Sequence, residues 1–217
     1  MHPIVPLVFL HGFLGNPKDW DFVIARLKSR APCFALPLPL NLSEFPKMLD
    51  AKGISTCALI GYSMGGRIAL QLQKLYSERI DRLALLSSHF GLQKEEEKKK
   101  RWEEDLIWIK RLETLSKEAF LKLWQAQPIF CGKRFVRDYD PSYQGALLKT
   151  YSLAKQEYLP PPKGTLLLYG EKDLKYAALY HTLNDSMALK DCGHVLHLED
   201  PEGVAYAMES HWQLHRY

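Results

Sequence analysis

The chain has 217 residues, 47% of them apolar and 25% charged, which suits one domain with a large core. A formal net charge of +4 is too weak to imply a nucleic-acid partner, but it fits a site for a small anionic substrate. The cysteines Cys33, Cys57, Cys131 and Cys192 form no CxxC pair, so reduced thiols are expected, and neither a disulfide framework nor a zinc site.

In chain order, short apolar runs alternate with longer amphipathic stretches. IVPLVFL (4–10) predicts a buried strand. The opening MHPIVPLVFLHG lacks a basic leader, and no run approaches the ~18 apolar residues of a membrane span. A cytoplasmic protein, monomeric or weakly oligomeric, is expected. Residues 17–30 predict a helix, with Trp20, Val23, Ile24 and Leu27 at helical spacing. A strand over 33–36, a short helix over 43–52 and a strand over 57–62 follow. Residues 64–76 predict a helix with Ile68, Leu72 and Leu75 on one face. Strands are expected over 82–88, 165–170 and 186–191, and a closing helix over 201–214. Continuous apolar strands alternating with helices predict an α/β fold with a mostly parallel sheet.

Residues 93–158 break this alternation. They open with QKEEEKKKRWEED, read as a solvated helix with ion pairs along it. Apolar residues at helical spacing follow, so the segment is expected to be an all-helical lid over the sheet's C-terminal edge. The core then comprises 1–92 and 159–217.

The chemistry concentrates at strand ends. GYSMGGR (61–67) sets Ser63 between glycines, after a strand and before a helix. This spacing makes a strained turn that exposes a nucleophile, with a helix N-terminus behind it. A serine needs a base, and the base needs an orienter. Asp173 follows the strand over 165–170 and His194 the strand over 186–191, in the order Ser, Asp, His. The backbone N–H groups of Phe13, in FLHGF, and of Met64 are the expected oxyanion donors. HxxH at His194 and His197 predicts no metal, since His194 has its role in the triad. No cofactor is expected.

These segments resemble the α/β-hydrolase superfamily and, within it, the 2-succinyl-6-hydroxy-2,4-cyclohexadiene-1-carboxylate synthase family. The resemblance covers nearly the whole chain. It rests on FLHGFLGNPKDW, GYSMGGRIAL, HFGLQ (89–93), WQAQPIF (124–130), GEKDLKY and CGHVLHLEDP. Two departures stand out. The chain starts almost at the oxyanion strand, so a trimmed sheet edge is expected. ALPLPLNLSEF (35–45) replaces the family's DLPGHG-like segment.

The resemblance implies a lyase that eliminates pyruvate from a cyclohexene carrying several carboxylates, with the triad as general base. It implies that Arg67 binds a substrate carboxylate; the alternative is a bond to a loop carbonyl outside the pocket. Guanidinium matches carboxylate with two parallel N–H bonds. Arg101, and less directly Arg137, become carboxylate contacts or surface arginines. Trp124 and Tyr62 become pocket residues or packing, and His89 a site or structural residue. The triad alone would equally serve a carboxylesterase, such as one acting on pimeloyl-acyl carrier protein methyl ester. A binding module without activity is disfavoured by the intact triad.

Overall fold

The computed structural model describes residues 5–214. Among them six strands form one sheet: β1 (Leu7–Leu10), β2 (Cys33–Leu36), β3 (Cys57–Tyr62), β4 (Ile80–Leu86), β5 (Leu166–Gly170) and β6 (Ser186–Leu189). Their order is β2-β1-β3-β4-β5-β6, and every neighbouring pair is parallel. Expected strand position 4 lies outside the described residues.

The central strands are apolar on both faces because both faces are covered. Val8, Leu10, Leu59, Leu83 and Leu85 pack into one core layer. Leu7, Phe9, Ala58, Ile60, Ala84 and Leu86 pack into the other. The first layer is closed by α2 (Phe45–Asp50), α3 (Met64–Leu75) and α7 (Leu174–Tyr180), through Phe45, Leu49, Ile68, Leu72 and Tyr180. The second is closed by α1 (Asp21–Ile24), α8 (Leu196–Glu199) and α9 (Pro201–Trp212), through Val23, Leu196, Val204 and Met208.

The helix expected over 17–30 is shorter. Asn16 caps a 3₁₀ turn, Pro17–Trp20, and the α-helical part ends at Ile24. Beyond it the bonds tighten to Arg26 N–Val23 O and Leu27 N–Ile24 O. The N–H groups of Lys28 and Ser29 then donate to Glu209 Oε1 of α9. A buried carboxylate thus captures donors that a longer helix would have used.

Three helices stand between β4 and β5: α4 (Glu95–Thr114), α5 (Lys117–Gln125) and α6 (Pro141–Thr150). The charge run is a helix, as read, with Glu95, Glu96 and Glu97 in its first turn, where they complement the helix dipole. Lys98 Nζ pairs with Glu95 Oε1 at 2.7 Å. Ser116 caps α5 through Ala119 N, and Asp140 caps α6 with Pro141 at its first position. The segment is not wholly helical. After a 3₁₀ turn, Pro128–Phe130, Cys131 and Gly132 adopt positive φ, and residues 133–140 run without regular structure. No helix among the described residues is long and apolar enough to cross a membrane.

Candidate active site

Ser63 sits between β3 and α3 at φ 51°, ψ −110°. A non-glycine residue holds such a backbone only when its surroundings over-determine it. Here they do. A Cβ on Gly61 would lie 2.5 Å from Gly66 Cα, and one on Gly65 would lie 2.3 Å from His11 O. The elbow is therefore pressed against the start of its own helix and against the end of β1. Ser63 N donates to Leu86 O of β4 at 2.9 Å, and Ser88 Oγ donates to Ser63 O at 2.9 Å.

His194 Nε2 stands 3.2 Å from Ser63 Oγ, and His194 Nδ1 stands 2.7 Å from Asp173 Oδ2. An ionised carboxylate only accepts, so the ring proton resides on Nδ1 and Nε2 is left to accept from the serine hydroxyl. Asp173 and His194 are both buried. Tyr176 stacks on the imidazole at 5.3 Å, and Tyr62 lies against it at the same distance. The three sequence-predicted residues thus meet in one hydrogen-bonded unit.

The loop carrying His194 is held from behind. Glu199 accepts Gly193 N–H at 2.9 Å and Val195 N–H at 3.1 Å, one on each side of the histidine. Lys133, from the irregular segment between α5 and α6, donates to the same carboxylate. Cys131 Sγ approaches Lys172 O, beside Asp173, at 3.6 Å. The insertion therefore touches both loops that carry the acid and the base.

The N–H groups of Phe13 and Met64 are the expected oxyanion donors. Met64 is the first residue of α3, so its N–H has no acceptor within the helix. Neither N–H is bonded elsewhere among the described residues. Phe13 packs against Trp124 at 4.8 Å, which ties its loop to α5.

A cavity of about 330 Å³ opens at Ser63 and His194. The side chains predicted to bind substrate all line it: Tyr62, Arg67, Arg101, Trp124 and Arg137. Their settings differ. Arg67 is buried; its Nη1 donates to Tyr151 O at 2.6 Å and Gln156 Oε1 at 3.3 Å, so it both bonds a loop carbonyl and faces the cavity. Burial first, then the charge of Arg101, lowers its pKa to about 10, which leaves it cationic at neutral pH. Arg101 Nε pairs with Asp105 Oδ1 at 2.9 Å, and Asp105 also accepts from Ser152 Oγ at 2.6 Å. Arg137 pairs closely with buried Asp19. Trp124 joins Trp108 and Phe130 in an aromatic wall.

His89 also lines the cavity. Gly91 N–H donates to its Nδ1 at 3.1 Å, which puts the ring proton on Nε2. Desolvation, then Lys175, Arg67 and Arg101, lowers its pKa to about 4, so the ring is neutral. His197 is fully buried, with neither ring nitrogen bonded, and packs between Trp20 and Tyr62. No cluster suited to a metal ion occurs among the described residues.

A family model described as "Alpha/beta hydrolase family" matches residues 7–207. The chain belongs to the alpha/beta hydrolase family. Among its relatives is a putative 2-succinyl-6-hydroxy-2,4-cyclohexadiene-1-carboxylate synthase of Haemophilus influenzae, 29% identical, with 95% of this chain and 97% of that one covered. A protein named as the same synthase from Enterobacter sp. strain 638 is 30% identical over 92% of this chain and 88% of its own. Among solved structures, MenH from S. aureus superposes with a TM-score of 0.79 at 22% identity, covering 100% of this chain and 96% of that one. This alpha/beta hydrolase also carries site residues that sequence reasoning missed: Trp108 and Lys175 on the cavity wall, and Glu199 behind the histidine. Lys175 was within GEKDLKY, two residues after the acid, and Glu199 within CGHVLHLEDP, but neither spacing marks a function.

Proposed function

We propose that this alpha/beta hydrolase is a lyase of menaquinone biosynthesis. Its substrate is 2-succinyl-5-enolpyruvyl-6-hydroxy-3-cyclohexene-1-carboxylate, from which it eliminates pyruvate. The observation that carries the reading is Arg67. It is a buried guanidinium on the cavity wall, one turn after Ser63, with no carboxylate of the described protein within 4 Å. The names of the relatives point the same way.

His194, oriented by Asp173, draws the hydroxyl proton of Ser63, so that the serine oxygen acts as a base. That oxygen removes the proton alpha to the succinyl ketone. The ketone oxygen becomes an enolate, held by the Phe13 and Met64 N–H groups, each worth about 3 kcal/mol in comparable sites. The electron pair returns through the ring, forms the conjugated double bond and breaks the carbon–oxygen bond to the side chain. The departing enolpyruvate takes up a proton and becomes pyruvate. No acyl-enzyme is formed. The insertion with α4, α5 and α6 acts as the lid and excludes water from the enolate.

The rival reading is a carboxylesterase, since the same triad and N–H donors serve ester cleavage. The experiment supplies purified protein with the cyclohexene substrate and times pyruvate release, with simple esters and pimeloyl-acyl carrier protein methyl ester in parallel. Rapid pyruvate release is expected, with slow ester cleavage. Arg67→Ala should harm the elimination far more than cleavage of a neutral ester. Background pyruvate release beside efficient ester turnover would replace the synthase reading with the esterase one.

A further inference from the structure

Four cations line the cavity: Arg67, Arg101, Arg137 and Lys175. Two of them already hold a carboxylate partner. Arg101 is paired with buried Asp105, and Arg137 with buried Asp19. Arg67 bonds only neutral oxygens, those of Tyr151 and Gln156. Lys175, near the start of α7, makes no ion pair within 4 Å among the described residues, and its ammonium has only the ring of Tyr176 at 5.6 Å. The neighbouring imidazole of His89 is neutral and adds no charge. Two positive charges without an ion-pair partner therefore face one small cavity, Arg67 buried and Lys175 solvent-exposed. They oppose each other: desolvation lowers the pKa of Lys175, Arg101 and Arg67 lower it further, and Asp173 and Glu104 offset this only in part. A bound dianion would relieve the repulsion.

We propose that Lys175 is a specificity-determining residue that takes one carboxylate of a dicarboxylate substrate while Arg67 takes the other. The inference rests on the synthase reading for the identity of the natural substrate, but the two cations require only a diacid. It also assigns Arg101 and Arg137 to holding the cavity walls, through their pairs with Asp105 and Asp19.

The test measures equilibrium binding, because Lys175 lies two residues from Asp173 and its replacement would also disturb turnover. The probe is 2-succinylbenzoate, titrated calorimetrically into wild type, Lys175→Met and Lys175→Arg. Two monoacids serve as controls: 3-benzoylpropionate lacks the ring carboxylate, and 2-butyrylbenzoate lacks the chain carboxylate. The diacid should bind wild type at least about tenfold more tightly than either monoacid, as expected for one added charge-assisted hydrogen bond. Lys175→Met should weaken the diacid and one monoacid by about tenfold or more and leave the other monoacid within about twofold. Lys175→Arg should retain most of the diacid affinity. An unchanged diacid affinity in Lys175→Met would overturn the proposal. So would an equal loss for both monoacids, which would indicate only a general field. Absence of pyruvate release together with the expected binding pattern would sink the synthase reading and leave the Lys175 assignment standing.

Discussion

Ser63 at φ 51° and the imidazole 3.2 Å from its hydroxyl are parts of one device, and substitutions should reveal this. Ser63→Ala and His194→Ala are each expected to lower turnover by several orders of magnitude, and the double variant by little more, because a triad acts as a unit. Steady-state kinetics on all three variants check it; losses that simply multiply would contradict the unit. A second residue-scale prediction concerns acid. His11, His89 and His197 are all held below the ordinary histidine pKa, mainly by burial. Their native states refuse protons that the unfolded chain accepts below about 6.5, so their contribution is complete above that pH. It declines as pH falls, and for His89 it is exhausted by about 4. Melting temperature should therefore drop steadily from pH 7 to pH 4.5, and His197→Phe, which removes two unbonded buried nitrogens, should flatten the slope. A slope unchanged by that substitution would remove His197 from the account. At this scale the triad was legible because motif, strand end and chain order agree. Lys175 and Glu199 were not, because no spacing tells which charged side chain of a loop faces the cavity or turns back on the histidine loop.

At the scale of elements, the insertion is fastened at two places with different consequences. Arg101 on α4 reaches Asp105 one turn on, and Asp105 in turn receives the Ser152 hydroxyl from just beyond α6. Arg101→Ala leaves a carboxylate at 2% exposure with one hydroxyl for company, and should destabilise the fold by about 1–3 kcal/mol. Urea midpoints test this, and an unshifted midpoint would show the pair to be idle. The second fastening is Glu199, which brackets His194 through two N–H groups and receives Lys133 from the insertion. Glutamine keeps one acceptor oxygen and turns an amide N–H toward the other donor. Glu199→Gln is therefore expected to lower kcat by about tenfold to a hundredfold with KM within about twofold, the signature of a misplaced imidazole. A change in KM alone would make Glu199 a wall of the pocket instead. The helical character of α4 and α5 was legible from the charge run and the apolar periodicity, whereas α6 was covered only by the general reading of a helical insertion. The irregular stretch 133–140 was not, since its course is set by Lys133 and Arg137 reaching Glu199 and Asp19 across the site.

Across the whole molecule, the alternation of apolar runs and helices sufficed for the sheet because the central strands are buried on both faces and follow one rule. The order of strands was not legible, since six apolar runs of similar length carry no address. The sheet is divided by its own connectivity. Strands β2, β1, β3 and β4 come from residues before 87, whereas β5 and β6 follow the insertion, and the strands of the two halves pair along Ala84–Leu86 against Leu166–Leu168. Ser63 and its N–H donors belong to the first half, Asp173 and His194 to the second. On the ribosome the nucleophile is therefore made first and waits for its base while 131 residues are added, on the order of ten seconds at usual elongation rates. For that interval β4 is an open apolar edge, the kind that recruits other chains or a chaperone. Stalled chains ending at residue 158 should accordingly bind a chaperone and resist a serine-directed phosphonate. Labelling of such chains would show that Ser63 is activated without His194. A nascent chain with a mute serine cannot attack its surroundings, and reactivity arrives only with the last strand.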